Sequence, residues 1–298
     1  GILSRVDAAS PLELRVRSRT ELARAFGATN LFRLSHDLLD GVFEMALGHR
    51  ELLREALMVD LELACLQGQF ARARRAALDL DALGPIDDPR ALLSVALARA
   101  TSGDRPGAME ALVRSEFRSD PGDRAAEAVR ARLLVMIELY TGDLRAAVRA
   151  CEQALELDRA LGLRFDGVAN LHNLAYACVR LGDHERARAL FAESLARADE
   201  AGYERVAASN RMYIAYLDGV EGAGDARERL KALIARAEEQ GYWHDVLQGR
   251  WAAAMLLKNA RNDALARREF EDVLELSVRL GDPLLEKDAR AWLDHAER

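Results

Sequence analysis

The chain has 298 residues and a formal net charge of -7; half of its residues are apolar and only 6% are aromatic. That acidic balance excludes a general nucleic-acid footprint, which needs a clustered basic face, and no stretch approaches the roughly 18 to 20 apolar residues that span a bilayer. Ala, Leu, Arg and Glu dominate. All are good helix formers, so the composition predicts an all-α protein.

Residues 10 to 48 carry apolar side chains at helical spacing, first Leu22, Ala23 and Phe26, then Leu31, Leu34, Leu38 and Leu39. Gly27 lies 41 residues before Gly68. Residues 1 to 50 are read as a degenerate first repeat. Arginine clusters at Arg15, Arg17 and Arg19 and at Arg72, Arg74 and Arg75 fall among carboxylates and read as solvated helix faces.

From there glycine marks a period. Gly142, Gly182 and Gly224 form one series, and Gly162, Gly202, Gly241 and Gly281 form a second, spaced 40, 39 and 40 residues. A period of that size means a supersecondary unit that buries its apolar face by stacking on its own copy. No proline interrupts residues 122 to 282, so long helices are permitted there. Two Pro-bearing links, 83 to 89 and 118 to 123, flank a shorter unit and are read as a change of superhelix pitch.

The unit is plainest at residues 171 to 203. Leu171, Leu174, Ala175 and Cys178 recur at the spacing of one helical face. Gly182 breaks that helix, Asp183 is placed to cap the next, and a second helix follows through Ala187, Leu190, Phe191 and Leu195 to Gly202. The same template finds turns at Gly68, Gly103, Gly142, Gly182, Gly224 and Arg261, with an Asp following at 104, 143, 183, 225 and 263. Five residues past the turn stand Ala73, Ala108, Ala147, Ala187 and Ala266, with Arg229 the exception. Nine residues past it stand Ala77, Leu112, Cys151, Phe191, Leu233 and Phe270. A small residue where helices cross, then a larger one to fill the gap to the neighbour, is a packing code.

These residues resemble a tetratricopeptide repeat over about residues 50 to 281. The period departs from that family's usual ~34 residues, the first-helix Trp and Gly and the closing Pro are absent, and the second helix is longer. In this the chain resembles the extended repeats of bacterial regulatory and sensor proteins. The resemblance implies a right-handed α-solenoid of stacked antiparallel helix pairs, with residues 51 to 281 forming about six helix-turn-helix repeats and residues 282 to 298 a capping helix. It implies first helices that line a concave, ligand-binding face.

Projecting those first helices inward yields a strip of Arg132, Met136 and Tyr140; His172, Asn173, Tyr176 and Arg180; Tyr213 and Tyr216; then Trp251, Met255 and Lys258. Tyr, Trp, Met and Arg are enriched in interface cores, and an Asn can grip a peptide backbone with a donor and an acceptor at once. In peptide-binding members of the family an Asn at this place does so, which implies that role for Asn173. The alternative for Tyr213, Tyr216 and Met255 is interhelical packing. The expected partner is a protein or peptide in the concave groove, with a homo-oligomer possible and no direct nucleic-acid or membrane contact.

Phosphate-loop, dinucleotide, nucleophile-elbow and zinc-helix motifs are absent from the sequence, so no catalytic residue, metal or cofactor is expected. Cys65, Cys151 and Cys178 are odd in number and widely separated; they read as core residues of a cytoplasmic protein. The expected function is non-enzymatic peptide or protein binding in a bacterial regulator. The alternatives are a sensor arm that buries a sugar or metabolite against Trp251 and Tyr216, and a self-associating scaffold.

Overall fold

The computed structural model describes residues 10–28, 32–118 and 122–296, and every regular element among them is a helix. Helices α1 (Leu12–Ala28) and α2 (Phe32–Ala46) precede six pairs: α3 (Arg50–Gln67) with α4 (Phe70–Ala82), α5 (Pro89–Ala100) with α6 (Arg105–Arg118), and α7 (Arg124–Thr141) with α8 (Leu144–Leu161). There follow α9 (Arg164–Leu181) with α10 (His184–Ala201), α11 (Glu204–Val220) with α12 (Ala226–Glu239), and α13 (Trp243–Asn259) with α14 (Asp263–Leu280). The single helix α15 (Pro283–Ala296) ends the array.

Each helix packs on the next, and through α13 each odd-numbered helix also packs on the next odd one; no even-numbered helix makes comparable contact with the following even one. The odd helices therefore form an inner layer and the even helices an outer one, as expected of an α-solenoid. One apolar core runs from α3 into α7 and a second from α7 to α15, joined through Leu134 and Met136.

The packing code has a direct physical counterpart. Ala73, Ala108, Ala147, Ala187 and Ala266 are all 0% exposed. Phe191 and Phe270 fill the gaps to the neighbouring helices and are buried too. The turn before α10 shows how the sequence makes this. Gly182 adopts φ +80°, a conformation a side chain resists, while the Asp183 carboxylate accepts the Arg186 amide at 3.3 Å. Asp104 and Asp143 cap in the same way, each at 2.9 Å.

Two details of the template are corrected. At α12 the left-handed glycine is Gly222, not Gly224, and Asp225 caps nothing. The register moves three residues, so that buried Ala226 takes the small position and Arg229 is no exception; Leu230 fills the larger one. Before α14 the cap is Asn262, which accepts the Leu265 amide, rather than Asp263. Arg261 does make that turn, at φ +55°. In the first pair, Gly27 is a helical residue pressed against Leu63 of α3, and the turn itself lies outside the described residues.

The solenoid closes on itself. Helix α14 packs on α4 and α15 on α7. Arg74 of α4 donates to the Gly281 carbonyl at 2.8 Å and to the Thr101 carbonyl at 3.0 Å, and Arg205 of α11 donates to the Leu66 carbonyl of α3 at 3.2 Å. Where the seam meets, Phe70 stands edge-on to both Tyr140 and His244, with ring centroids 4.9 and 5.6 Å away.

Candidate functional site

The inner layer gathers most of the strip into one aromatic cluster. Tyr213 of α11 stacks on Phe191 at 4.9 Å and stands edge-on to His172 and Tyr176 of α9, at 5.8 and 5.6 Å. Tyr216 meets Trp251 of α13 at 6.0 Å. Tyr176, Tyr213, Tyr216 and Trp251 are all buried, Tyr213 to 2% and Trp251 to 4% exposure. Met136 of α7 accepts a weak bond from the Asn173 amide at 3.8 Å. Tyr140 lies with its hydroxyl 3.4 Å from His244 Nε2, which is also 3.3 Å from Asp282 Oδ2. Three residues differ. Arg132 acts on Asp158 of α8, Met255 is half-buried in the core, and Lys258 is exposed at the end of α13.

At the centre of this layer Arg180 is held on every side. Its Nη1 donates to the Tyr176 hydroxyl at 3.0 Å, and its guanidinium lies over the Tyr176 and Trp251 rings at 5.8 and 5.5 Å. Its Nη2 lies 3.1 and 2.9 Å from the two oxygens of Asp288 on α15. The indole N–H of Trp251 donates to the same carboxylate at 3.1 Å. Burial pushes the Asp288 carboxyl above its ordinary value, although Arg180 and the Trp251 N–H pull the other way. The Tyr213 hydroxyl is buried with no hydrogen-bond partner, and burial raises its pKa well above 10.

His172 packs between Phe191 of α10 and Tyr213 of α11 and bonds to Asn210 of α11. Asn210 uses its amide N–H on Ser194 Oγ at 2.8 Å, so its oxygen faces His172 and the imidazole proton must sit on Nδ1, which donates to that oxygen at 2.8 Å. Ser194 passes its own proton to the Val168 carbonyl at 3.0 Å. Burial lowers the His172 pKa, with the Asn210 bond and Asp245 opposing.

Several residues of the inner layer were not singled out from sequence: Asp288, Asp282, His244, Asp245 and Arg205. Arg205 pairs with Asp245 at 2.7 Å and lies over Tyr242. Burial alone would raise the Asp245 carboxyl, but Arg205, His244 and the Ser209 hydroxyl hold it below its ordinary value. These residues cluster through the closure of the superhelix, and no local spacing signals that. Two cavities of about 450 and 440 Å³ are present, and the second borders Tyr242 and Asp245 of this cluster. One is lined by Phe43, Leu53 and Leu57 with residues of α4, the other by Tyr203, Met212, Arg236 and Tyr242 with neighbouring residues; neither is lined by Trp251 or Tyr216.

Among the described residues no group of His, Cys, Asp and Glu could hold a metal ion, and no helix is long and apolar enough to cross a membrane. Cys151 and Cys178 are buried, and burial pushes the Cys151 thiol up to about 12.

No curated protein sequence matches the chain. The tetratricopeptide repeat family matches residues 168–200, most of α9 and of α10. Among solved structures, a Rap protein complexed with competence and sporulation factor aligns over 96% of this chain and 98% of its own, with a TM-score of 0.55 and 14% identity. Aspartyl phosphate phosphatase F from Bacillus subtilis aligns over 98% and 95%, with a TM-score of 0.51 and 10% identity. A signal transduction ATPase with numerous domains and a tetratricopeptide repeat sensor, from Pyrococcus horikoshii, aligns over 99% of this chain and 47% of its own, at 0.51 and 14%. At such identities the likeness is one of fold. Residues 168–200 match the tetratricopeptide repeat family, and the stacked helix pairs give the whole array the fold of a tetratricopeptide-repeat-like solenoid.

Proposed function

We propose that the chain is a non-enzymatic binding module of a bacterial cytoplasmic regulator or sensor, and that it holds a peptide or protein segment on its inner layer. The strip residues that keep some surface would make the contacts, Asn173 with the peptide backbone, Tyr140 with a side chain and Arg180 with a charge, while Tyr176, Tyr213, Tyr216 and Trp251 form the buried wall behind them. The observation that carries this reading is the Asn173 amide, which is half-buried on the inner layer and whose described contact is the weak one to Met136 at 3.8 Å. A Rap protein of similar fold was solved in complex with competence and sporulation factor, which supports a bound partner on this kind of fold.

The test is hydrogen exchange of the full chain with peptides selected from a random library. Protection of residues 169–180 and 209–217 is expected. Protection confined to the outer helix at 184–200 would refute the reading. The cavity beside Tyr203 and Tyr242 has the volume of a small-ligand site, which favours a metabolite as the second reading. A thermal-shift screen of metabolites against peptides separates the two.

A further inference from the structure

Asp288 belongs to the last helix, yet its carboxylate is held by the inner layer, through Arg180 of α9 and Trp251 of α13. The receiving side is built without it. Arg180 is fixed by the Tyr176 hydroxyl and by two ring faces, with its remaining N–H fork directed at the carboxylate. A planar cation held this way is preorganised for a carboxylate, so little further freedom is lost when one arrives. The nearby Tyr213 hydroxyl is a donor that α15 leaves unused.

The rest of α15 is attached as a single amphipathic helix. Leu285, Ala289 and Leu293 are buried, and Trp292 stacks on Phe270 of α14 at 4.6 Å. These residues stand at i-3, i+1, i+5 and i+4 from Asp288, the spacing by which a separate helix is recognised in a groove. A partner helix with the same apolar face and an acidic residue at the same place satisfies every one of these contacts.

We propose that α15 is an intramolecular occupant of a helix-binding site, and that the site takes an amphipathic partner helix bearing a carboxylate where Asp288 stands. The proposal rests on the reading of the inner layer as a binding face and specifies its partner: an acidic amphipathic helix that exchanges with α15. Arg180 selects for the charge, and the apolar face supplies contact area.

The test uses the full chain and a fluorescein-labelled synthetic peptide of residues 283–296, followed by fluorescence anisotropy. The Asp288→Asn chain weakens the internal occupant and should bind this peptide at least tenfold more tightly than the original chain. A peptide carrying Asp288→Asn should bind at least tenfold more weakly, and Arg180→Gln in the chain should abolish that discrimination. Equal binding of the two peptides, or no binding to an Asp288→Asn chain with unchanged circular dichroism, overturns the proposal. Should that variant not fold, hydrogen exchange of the original chain decides instead. Excess peptide should accelerate exchange in 284–296, and unchanged exchange there overturns the proposal. If library peptides protect 169–180 while the α15 peptide does not bind, this inference fails and the proposed function stands; if nothing protects the inner helices, both fail.

Discussion

His172 donates from Nδ1 to Asn210 Oδ1 at 2.8 Å, and through Asn210 and Ser194 that one imidazole is tied to the Val168 carbonyl. Burial keeps the ring neutral, with a folded pKa below the ordinary 6.5, although the Asn210 bond favours the charged form. Between those two values the unfolded chain binds the proton and the folded chain does not, so stability falls as pH falls through about 6.5 toward the folded pKa. The melting temperature should drop between pH 7.5 and pH 5, and His172→Gln should flatten that drop. Identical slopes in calorimetry would remove His172 as the cause.

Gly281 tests the seam. It stands at φ +76°, and a Cβ there would come within 2.6 Å of the Ala71 amide nitrogen, whereas Gly202, at φ +73°, has open space around it. Gly202→Ala carries only the left-handed strain, roughly 1 kcal/mol. Gly281→Ala carries that strain and also forces α14 from α4, so urea denaturation should show a loss larger by at least ~1 kcal/mol. Equal losses would mean that the seam contributes nothing in solution.

Ala187→Leu should destabilise the chain by about 1 to 3 kcal/mol, because Ala187 has no exposed surface and its site cannot hold three more carbons without moving helices. A neutral result in thermal melts would contradict the close crossing of α9 and α10.

Asn173 and Trp251 should behave differently. Asn173→Ala removes a half-buried amide whose protein contact is the weak one to Met136, so it should weaken partner binding by about 1 to 3 kcal/mol while leaving the melting temperature nearly unchanged. Trp251 is core. Its truncation to Ala should cost on the order of 3 to 5 kcal/mol of stability, so only a conservative change there can report on binding. Glu185→Ala, on the exposed side of α10, should alter neither.

Native-state labelling by a thiol reagent should be slow at Cys151 and Cys178, since both are buried and burial raises both thiols. Fast, stoichiometric modification of either in the folded protein would contradict the packing.

The helix pairs were legible in the sequence because their causes are local. A glycine that must turn left-handed, an Asp three residues before an unpaired amide and an Ala at a crossing all act within ten residues. Where the local signal doubled, at Gly222 and Gly224, the template slipped by three residues. Of the strip, Tyr140, His172, Tyr176, Arg180, Tyr213, Tyr216 and Trp251 do meet, with Tyr176, Tyr213, Tyr216 and Trp251 as buried interhelical packing. Its closure was not legible, because a period gives the unit and not the pitch of the superhelix. Asp288 looked like part of a cover, and only the return of α15 across the inner layer sets it against Arg180, 108 residues earlier.

An open repeat array is a one-dimensional chain of couplings, in which damage to one unit is felt by its neighbours and fades beyond them. The contacts of α14 with α4 and of α15 with α7 turn that line into a loop. Units far apart in the chain become neighbours, so unfolding of α14 and α15 no longer proceeds without loss at α4 and α7. The array should melt as a single cooperative transition, and a cut in the link between any two central pairs should leave two fragments that still recognise each other through the seam.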